Sequence, residues 1–198
     1  AQRWFEVTLT GQDAHAGTTP MDRRRDALVS AASIVTEVDR IGRSVVDGRA
    51  TVGMLQASPN SRNTIPGACF LTVDMRHPDE DVLRGMTTEL REYSAGIASD
   101  HGVEIDLREI WHAPPVAFDR HCVEAVEASA AEAGFSHMPI ASGAGHDACY
   151  VARVAPAAMI FVPCVDGISH NELESATPED LAAGAEVLVR ALIRLADE

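Results

Sequence analysis

The sequence lacks most of the features that would by themselves identify the class of a protein. No stretch approaches the roughly 20 apolar residues that a membrane-spanning helix needs, and there is no internal repeat or low-complexity tract. Residues 1–198 contain no signal-peptide pattern. Cysteine is rare and never paired as Cys-x-x-Cys, which predicts buried thiols in a reducing, cytoplasmic compartment and excludes a disulfide framework. The four cysteines are Cys69, Cys122, Cys149 and Cys164.

Basic residues are also scarce. The chain has 16 Lys and Arg against 30 Asp and Glu, a formal net charge of −14. Nucleic acids and anionic membranes repel such a surface, so we expect neither as a partner. The 198 residues are 46% apolar and 23% charged, which is ordinary for a globular protein of one large or two small domains. Because the chain starts at Ala1, almost directly inside a strand, we expect that its natural N-terminus is missing.

Apolar periodicity in the first half predicts the order β-α-β-β-α-β. Residues 4–10 alternate as a half-buried strand does, whereas apolar residues after Asp22 recur at three- and four-residue intervals, as in a helix. This order is the split βαβ, or ferredoxin-like, plan of an autonomous α+β domain. The predicted elements are a strand at 4–10, a helix from Asp22 to about Gly42, strands at 50–55 and 69–76, a helix from Asp79 and a strand at 103–107.

Past residues 111–115, whose paired prolines suit a linker, the pattern changes to alternating helices and short strands. Only two strands are predicted, too few for a stable sheet with helices on both faces, so we expect an α/β fragment of a larger domain. We therefore divide the chain into domains at 1–112 and 113–198. The elements are a helix at 119–133, a strand at 137–140, a glycine-rich loop at 142–145, a short helix, a strand at 158–163 and a helix from Pro178 to about Leu195.

The loop at residues 11–21, between the first strand and the first helix, contains His15. Gly11 and Gly17 permit a tight or left-handed backbone, so the loop would hold His15 firmly at the domain surface. The alternative is a capping loop whose histidine only bonds to the backbone. The residues alone leave both interpretations open.

Two further candidates lie on the next pair of strands. Asn63 is in a polar turn, residues 61–67, that is longer than a two-residue hairpin requires, and Arg76 ends the strand that follows. Guanidinium and amide donors suit a carboxylate, so the two residues form a candidate carboxylate clamp. An ion pair between Arg76 and Asp74 or Asp79 is the alternative.

The glycine-rich loop places Gly145, His146 and Asp147 just before a short helix. Backbone N–H groups exposed there can receive an anion or a carbonyl oxygen. The match to a dinucleotide-binding G-x-G-x-x-G motif is poor because the third glycine is absent. A simple helix cap by Asp147 is the alternative.

His170 follows the apolar run 159–162 on a loop, a position that suits a metal ligand. A catalytic zinc needs about three protein ligands, and nothing near His170 has His-Glu-x-x-His spacing. It is therefore either an ordinary loop histidine or one ligand of a site in a larger metalloenzyme.

Taken together, these segments resemble the zinc-dependent amidohydrolases of the M20 metallopeptidase superfamily. The nearest branch is the hydantoinase/carbamoylase family, which comprises N-carbamoyl-L-amino acid hydrolases, β-ureidopropionases and allantoate amidohydrolases. The resemblance covers nearly the whole chain, with the motifs in the family's order and at similar spacings. They are Gly11–Met21, Arg25–Ala27, Asn63–Gly67, Asp74–Arg76, Ser142–Ala148 and Ser169–Glu172.

The resemblance implies a lid or dimerisation domain at 1–112, followed by the C-terminal segment of a catalytic domain. It implies that His15 polarises the scissile carbonyl, often from the partner subunit, and that Asn63 and Arg76 bind the substrate carboxylate. Gly145 would offer its backbone to the substrate, His146 would line the pocket, and His170 would bind metal. The parent enzyme would use two divalent metal ions (Zn, or Mn, Co or Ni) and form a homodimer through the lid. We expect no metal on this chain alone.

The resemblance predicts a hydrolase that cleaves a C–N bond of a small N-carbamoyl or ureido acid. An M20 aminoacylase or peptidase acting on N-acyl amino acids is the enzymatic alternative, and a non-catalytic dimerising fragment is another. The pair Asn63 and Arg76 and the doubled Thr18-Thr19 favour the carbamoylase branch.

Overall fold

The computed structural model describes residues 1–197, which form two compact units, Ala1–Pro115 and the chain from Val116 onward. Over these residues the chain is a mixed α/β protein with a four-stranded sheet, a small two-stranded ribbon and five α-helices. None of the described helices is both long and apolar enough to cross a membrane.

The sheet of the first unit is antiparallel, with the strand order β3-β5-β1-β6. The short strands β2 and β4 pair separately. The central strands β1 and β5 are the ones whose sequences alternate most regularly, since each must present one apolar face. The six strands are β1 (Gln2–Thr10), β2 (Ala14–His15), β3 (Arg49–Ser58), β4 (Thr64–Ile65), β5 (Ala68–Arg76) and β6 (Glu104–Ala113).

The core of this unit lies between one face of the sheet and two helices, α1 (Ala27–Ser44) and α2 (Glu80–His101). Burial of each large apolar side chain contributes roughly 1.5–3 kcal/mol, so the alternation of β1 and β5 is a main source of stability. The residues between the buried ones, such as Trp4, Asp74 and Arg76, belong to the opposite, partly exposed face. Fully buried strand residues are Phe5, Val7, Leu9, Leu71, Val73 and Met75.

The predicted start of α1 at Asp22 is wrong. Residues Met21–Arg23 form a single 3₁₀ turn, and the chain is extended again at Arg24. The helix begins after Asp26, whose Oδ1 accepts hydrogen bonds from Leu28 N at 3.0 Å and Val29 N at 3.1 Å. Asp26 therefore satisfies the unpaired amides of the first turn.

Helix α2 begins after Asp79, as predicted. Its Oδ1 accepts from Asp81 N at 2.7 Å and Val82 N at 3.1 Å, and these bonds hold the pKa of Asp79 below its ordinary value. The helix ends at Gly102, whose φ of 62° is the left-handed conformation common at helix ends.

The close approach of two chain segments at Gly11 leads to a stability prediction. A Cβ at Gly11 would lie 2.0 Å from the carbonyl oxygen of Arg25, which is backbone and cannot rotate away. We expect Gly11→Ala to lower the free energy of unfolding by about 1–3 kcal/mol, as measured by urea denaturation. The control is Gly85→Ala on the exposed side of α2, where an added Cβ meets nothing within 4 Å. That change should be neutral or stabilising, and equal losses in both variants would contradict the steric explanation.

The second unit contains α3 (Arg120–Glu132), α4 (Ala148–Val151) and α5 (Pro178–Ala196). Asp119 caps α3 by accepting from Cys122 N at 3.0 Å, and Thr177 caps α5 by accepting from Asp180 N at 3.1 Å. Helices α3 and α5 pack together, and their buried apolar residues are Ala125, Ala130, Val187 and Ala191.

The strands predicted at 137–140 and 158–163 are not formed in the described chain. A strand requires a neighbour with which to pair its backbone groups, and no such neighbour is present among residues 1–197. Residues 157–162 instead pack on the helices. Asp119 N donates to the Ala157 carbonyl at 3.0 Å, and a Cβ at Gly184 would lie only 2.5 Å from Val162 Cγ1.

All four cysteines are free thiols. Cys69 is buried in the core of the first unit, and its burial raises the pKa of the thiol, which stays protonated and unreactive. The prediction of buried thiols is wrong for the other three, which are only half-buried.

Candidate functional site

The segments that contain His15 and Asn63 lie against each other at one end of the first unit's sheet. We call residues 11–20 and 61–67 the loop cluster. Strands β2 and β4 join the two segments, with His15 opposite Thr64, and Ala16 N donates to the Asn63 carbonyl at 2.9 Å. Gly67 N donates to Asp13 Oδ1 at 2.6 Å. The sequence predicted two separate loops, and the structure brings them together.

The backbone of the loop cluster fixes which ring nitrogen of His15 carries the proton. Nδ1 accepts hydrogen bonds from Gly17 N at 3.0 Å and Thr18 N at 3.2 Å. Since a backbone amide can only donate, Nδ1 must be unprotonated, and the proton of the neutral imidazole lies on Nε2. The histidine does bond to the backbone, as the capping interpretation held, but this contact leaves Nε2–H as a donor on an exposed side chain.

Arg24 supports this loop, a role that the sequence did not predict. Its Nη2 donates to the Ala16 carbonyl at 2.7 Å, and its Nε donates to the Thr19 carbonyl at 3.1 Å. One guanidinium therefore bridges both sides of the turn that follows His15. The only sequence signal was the run of three arginines at 23–25.

Asn63 presents amide donors at the surface of the loop cluster. Its Oδ1 accepts from Ser61 Oγ at 2.9 Å, and this contact orients the side chain so that the amide nitrogen is the group available for an acceptor. The side chain is exposed. The geometry therefore suits a carboxylate or carbonyl ligand.

Arg76 makes the ion pair with Asp74 that was the predicted alternative to a carboxylate clamp. Its Nη2 lies 2.6 Å and its Nε 3.0 Å from the two carboxylate oxygens of Asp74. Gln2 Nε2 also donates to Asp74, at 3.1 Å. Arg76 and Asp74 are 31% and 29% exposed, so the oriented guanidinium remains accessible from the open face of the sheet.

Asn63 and Arg76 of one chain cannot hold the same carboxylate. The loop cluster lies beyond the start of β5, where Ala68 pairs with Thr10, whereas Arg76 is the last residue of that strand. At roughly 3.4 Å per residue, β5 spans about 27 Å from Ala68, next to the loop cluster, to Arg76. The structure thus brings His15 and Asn63 together and places Arg76 at the other end of the sheet.

In the second unit, Gly145 and His146 lie on the loop before α4. His146 Nε2 is 2.8 Å from Ser142 Oγ, and its ring meets Phe161 edge-on with centroids 5.5 Å apart. Gly145 is exposed, and an added Cβ would meet nothing within 4 Å, so packing in the described residues does not require glycine there. The proposed cap by Asp147 is wrong, since its side chain makes no capping hydrogen bond.

His170 is exposed and has a left-handed backbone, with φ of 55°. Its amide donates to Glu174 Oε2 at 2.7 Å, and this bond helps to hold a conformation that non-glycine residues rarely adopt. Residues 1–197 contain no group of three or more His, Cys, Asp or Glu side chains that could hold a metal ion. Among them, His170 remains a single candidate ligand, and these residues alone do not fit a complete site.

Comparison with known proteins assigns the chain to a protein family. The sequence model of peptidase family M20/M25/M40 matches residues 9–194, and the chain therefore belongs to this family. The predicted resemblance to the M20 superfamily and its hydantoinase/carbamoylase branch is confirmed.

Individual relatives place the chain within this family. It is 44% identical over 195 residues to an N-carbamoyl-L-amino-acid amidohydrolase of Rhizobium meliloti, covering 98% of this chain and 47% of the relative. It is 36% identical over 200 residues to the allantoate amidohydrolase of Escherichia coli K12, covering 98% and 48%. A crystal structure of a hydantoinase/carbamoylase-family amidase from Burkholderia multivorans superposes with a TM-score of 0.94 at 58% identity, covering all of this chain and 48% of that one. The chain thus spans about half the length of these relatives.

Proposed function

We propose that this chain is part of a metal-dependent amidohydrolase that cleaves a C–N bond of an N-carbamoyl or ureido acid. The observation that carries the proposal is the geometry of His15, whose Nδ1 accepts two backbone hydrogen bonds and whose Nε2–H is therefore a fixed donor. Attack on a carbamoyl carbonyl places negative charge on its oxygen. A donor held in advance stabilises that charge without reorganisation in the transition state.

We assign residues 1–112 to a ferredoxin-like lid and residues 113–198 to the C-terminal segment of a catalytic domain. Two divalent ions would supply the Lewis acid and the activated water in the whole enzyme. His170 would provide one ligand, and its constrained left-handed backbone supports that role. The other ligands and the general base would lie in the part of the relatives' length that this chain does not span. Gly145 and His146 would line the substrate pocket.

We further propose that each substrate contacts the lids of two subunits of a homodimer. His15 and Asn63 belong to one loop cluster, whereas Arg76 is about 27 Å away along β5. One bound acid is much smaller than this separation. His15 and Asn63 would therefore come from one subunit and Arg76 from its partner, so that each lid serves both sites.

The whole enzyme tests the proposed reaction directly. We expect it to hydrolyse N-carbamoyl-L-amino acids or allantoate, to lose activity on chelation and to regain it with Zn, Mn, Co or Ni, as measured by product release. N-acetyl amino acids are the comparison substrates. Cleavage of these alone would support the aminoacylase alternative, and full activity after verified removal of metal would contradict the metal-dependent mechanism.

A further inference from the structure

The face of the sheet opposite the helices carries both tryptophans of the chain. Trp4 on β1 and Trp111 on β6 are Cα partners across the two strands, and their ring centroids are 4.6 Å apart. They are 40% and 37% exposed. Large aromatic residues usually bury most of their surface, and helices α1 and α2 cannot cover this pair because they pack on the other face.

The tryptophan pair lies beside Arg76. Trp4 is the direct partner of Asp74, and Gln2 is the direct partner of Arg76. Trp4 and Arg76 are thus diagonal neighbours on the same face, roughly 7–8 Å apart at their Cα atoms. An apolar surface and an oriented guanidinium therefore lie side by side, within the dimensions of one amino-acid derivative.

We propose that Trp4 and Trp111 form the subsite for the side chain of the substrate and select N-carbamoyl amino acids with large apolar side chains. This inference rests on the proposed function, because it places the substrate carboxylate at Arg76. With the carboxylate there, the side chain on the adjacent carbon reaches Trp4 and the neighbouring Trp111, whose ring is tilted by 36° to that of Trp4. A polar ureido acid would not gain binding free energy from this apolar surface.

Charge favours a substrate over a protein partner as the occupant. The tryptophans adjoin the half-exposed Arg76–Asp74 pair, and on β6 they adjoin Arg108, which pairs with Glu6 across the strands. The apolar surface therefore consists of the two indole rings and is bordered by charged side chains. A substrate with one carboxylate and one apolar group matches this arrangement, whereas a second copy of the chain would have to bury the charged border as well.

The test compares kcat/KM of the whole enzyme for N-carbamoyl-L-phenylalanine and for N-carbamoylglycine, which has no side chain. We expect Trp4→Ala and Trp111→Ala to lower the value for the phenylalanine derivative about tenfold or more while the value for the glycine derivative changes little. Trp4→Phe keeps an aromatic surface and should retain most of the preference. The control is Val82→Ala on α2, a residue of similar exposure (37%) on the opposite side of the sheet, which should alter neither value.

Other outcomes overturn the inference. Equal losses on both substrates, with unchanged melting temperature, would mean that the tryptophans do not contact the side chain. An unchanged preference would exclude the subsite. A shift from dimer to monomer in Trp4→Ala, measured by sedimentation, would make this face a subunit interface. If the unmodified enzyme hydrolyses allantoate but neither of these two substrates, the subsite fails and the proposed function stands. If it hydrolyses none of the three, the proposed function fails as well.

Discussion

Replacing His15 by alanine in the whole enzyme is expected to lower kcat about 100- to 1000-fold, the usual cost of losing one oxyanion donor. The reason is that Nε2–H is the ring's only remaining donor once Gly17 and Thr18 have fixed Nδ1 as an acceptor. Because this bond strengthens as charge develops, the loss should appear in kcat and much less in KM. Steady-state kinetics at saturating substrate measures it.

Two further variants test this prediction more specifically. His15→Gln places an N–H donor near the position of Nε2 and should lose less activity than the alanine variant. His137→Ala is the matched control, since His137 is also an exposed loop histidine whose Nδ1 is next to a backbone carbonyl, that of Phe135 at 3.0 Å. Wild-type kcat in a folded His15→Ala enzyme would remove His15 from the mechanism.

The sequence predicted the regular elements of the first unit because burial imposes a simple period on them. Residues Phe5, Val7 and Leu9 alternate with polar ones since one face of β1 packs on helices. The start of α1 was misplaced because Asp22 and Asp26 are equally good caps by residue type. Only the hydrogen bonds from Leu28 and Val29 distinguish them.

The second unit was harder to predict. An apolar run indicates that a segment is buried, but it does not indicate that the backbone of that segment pairs with another strand. Residues 158–163 have the composition of a strand, yet within the described chain they pack on α5 near Gly184. Nothing in the sequence of such a segment specifies whether its backbone has a neighbour, since pairing depends on residues remote in the chain.

In the candidate site, closeness in sequence does not correspond to closeness in space. Asn63 and Arg76 are close in number and suggested one carboxylate clamp, but the extended strand between them separates them by about 27 Å. His15 and Asn63 are far apart in number and lie together, because the two-residue strands β2 and β4 join their loops. Strands so short have no detectable period, so no pattern in the sequence could reveal this contact.

This separation along β5 leads to the second prediction, a complementation between subunits. In a dimer of His15→Ala with Arg76→Ala, one site receives both altered residues and the other receives His15 and Arg76 intact. We therefore expect verified heterodimers to recover up to about half of wild-type activity, although each variant alone is nearly inactive. Differently tagged subunits, purified as heterodimers and assayed for carbamoyl hydrolysis, give the measurement.

The control for this experiment is the dimer of His15→Ala with Asn63→Ala. Both residues belong to one loop cluster, so each site in that heterodimer contains one altered residue, and no recovery is expected. No recovery in either pair would mean that Arg76 acts together with the loop cluster of its own subunit. Because about 27 Å separates them along β5, that result would require a first unit folded differently from this one. Equal recovery in both pairs would show that His15 and Asn63 reach each site from different subunits, which would contradict a shared loop cluster at the substrate.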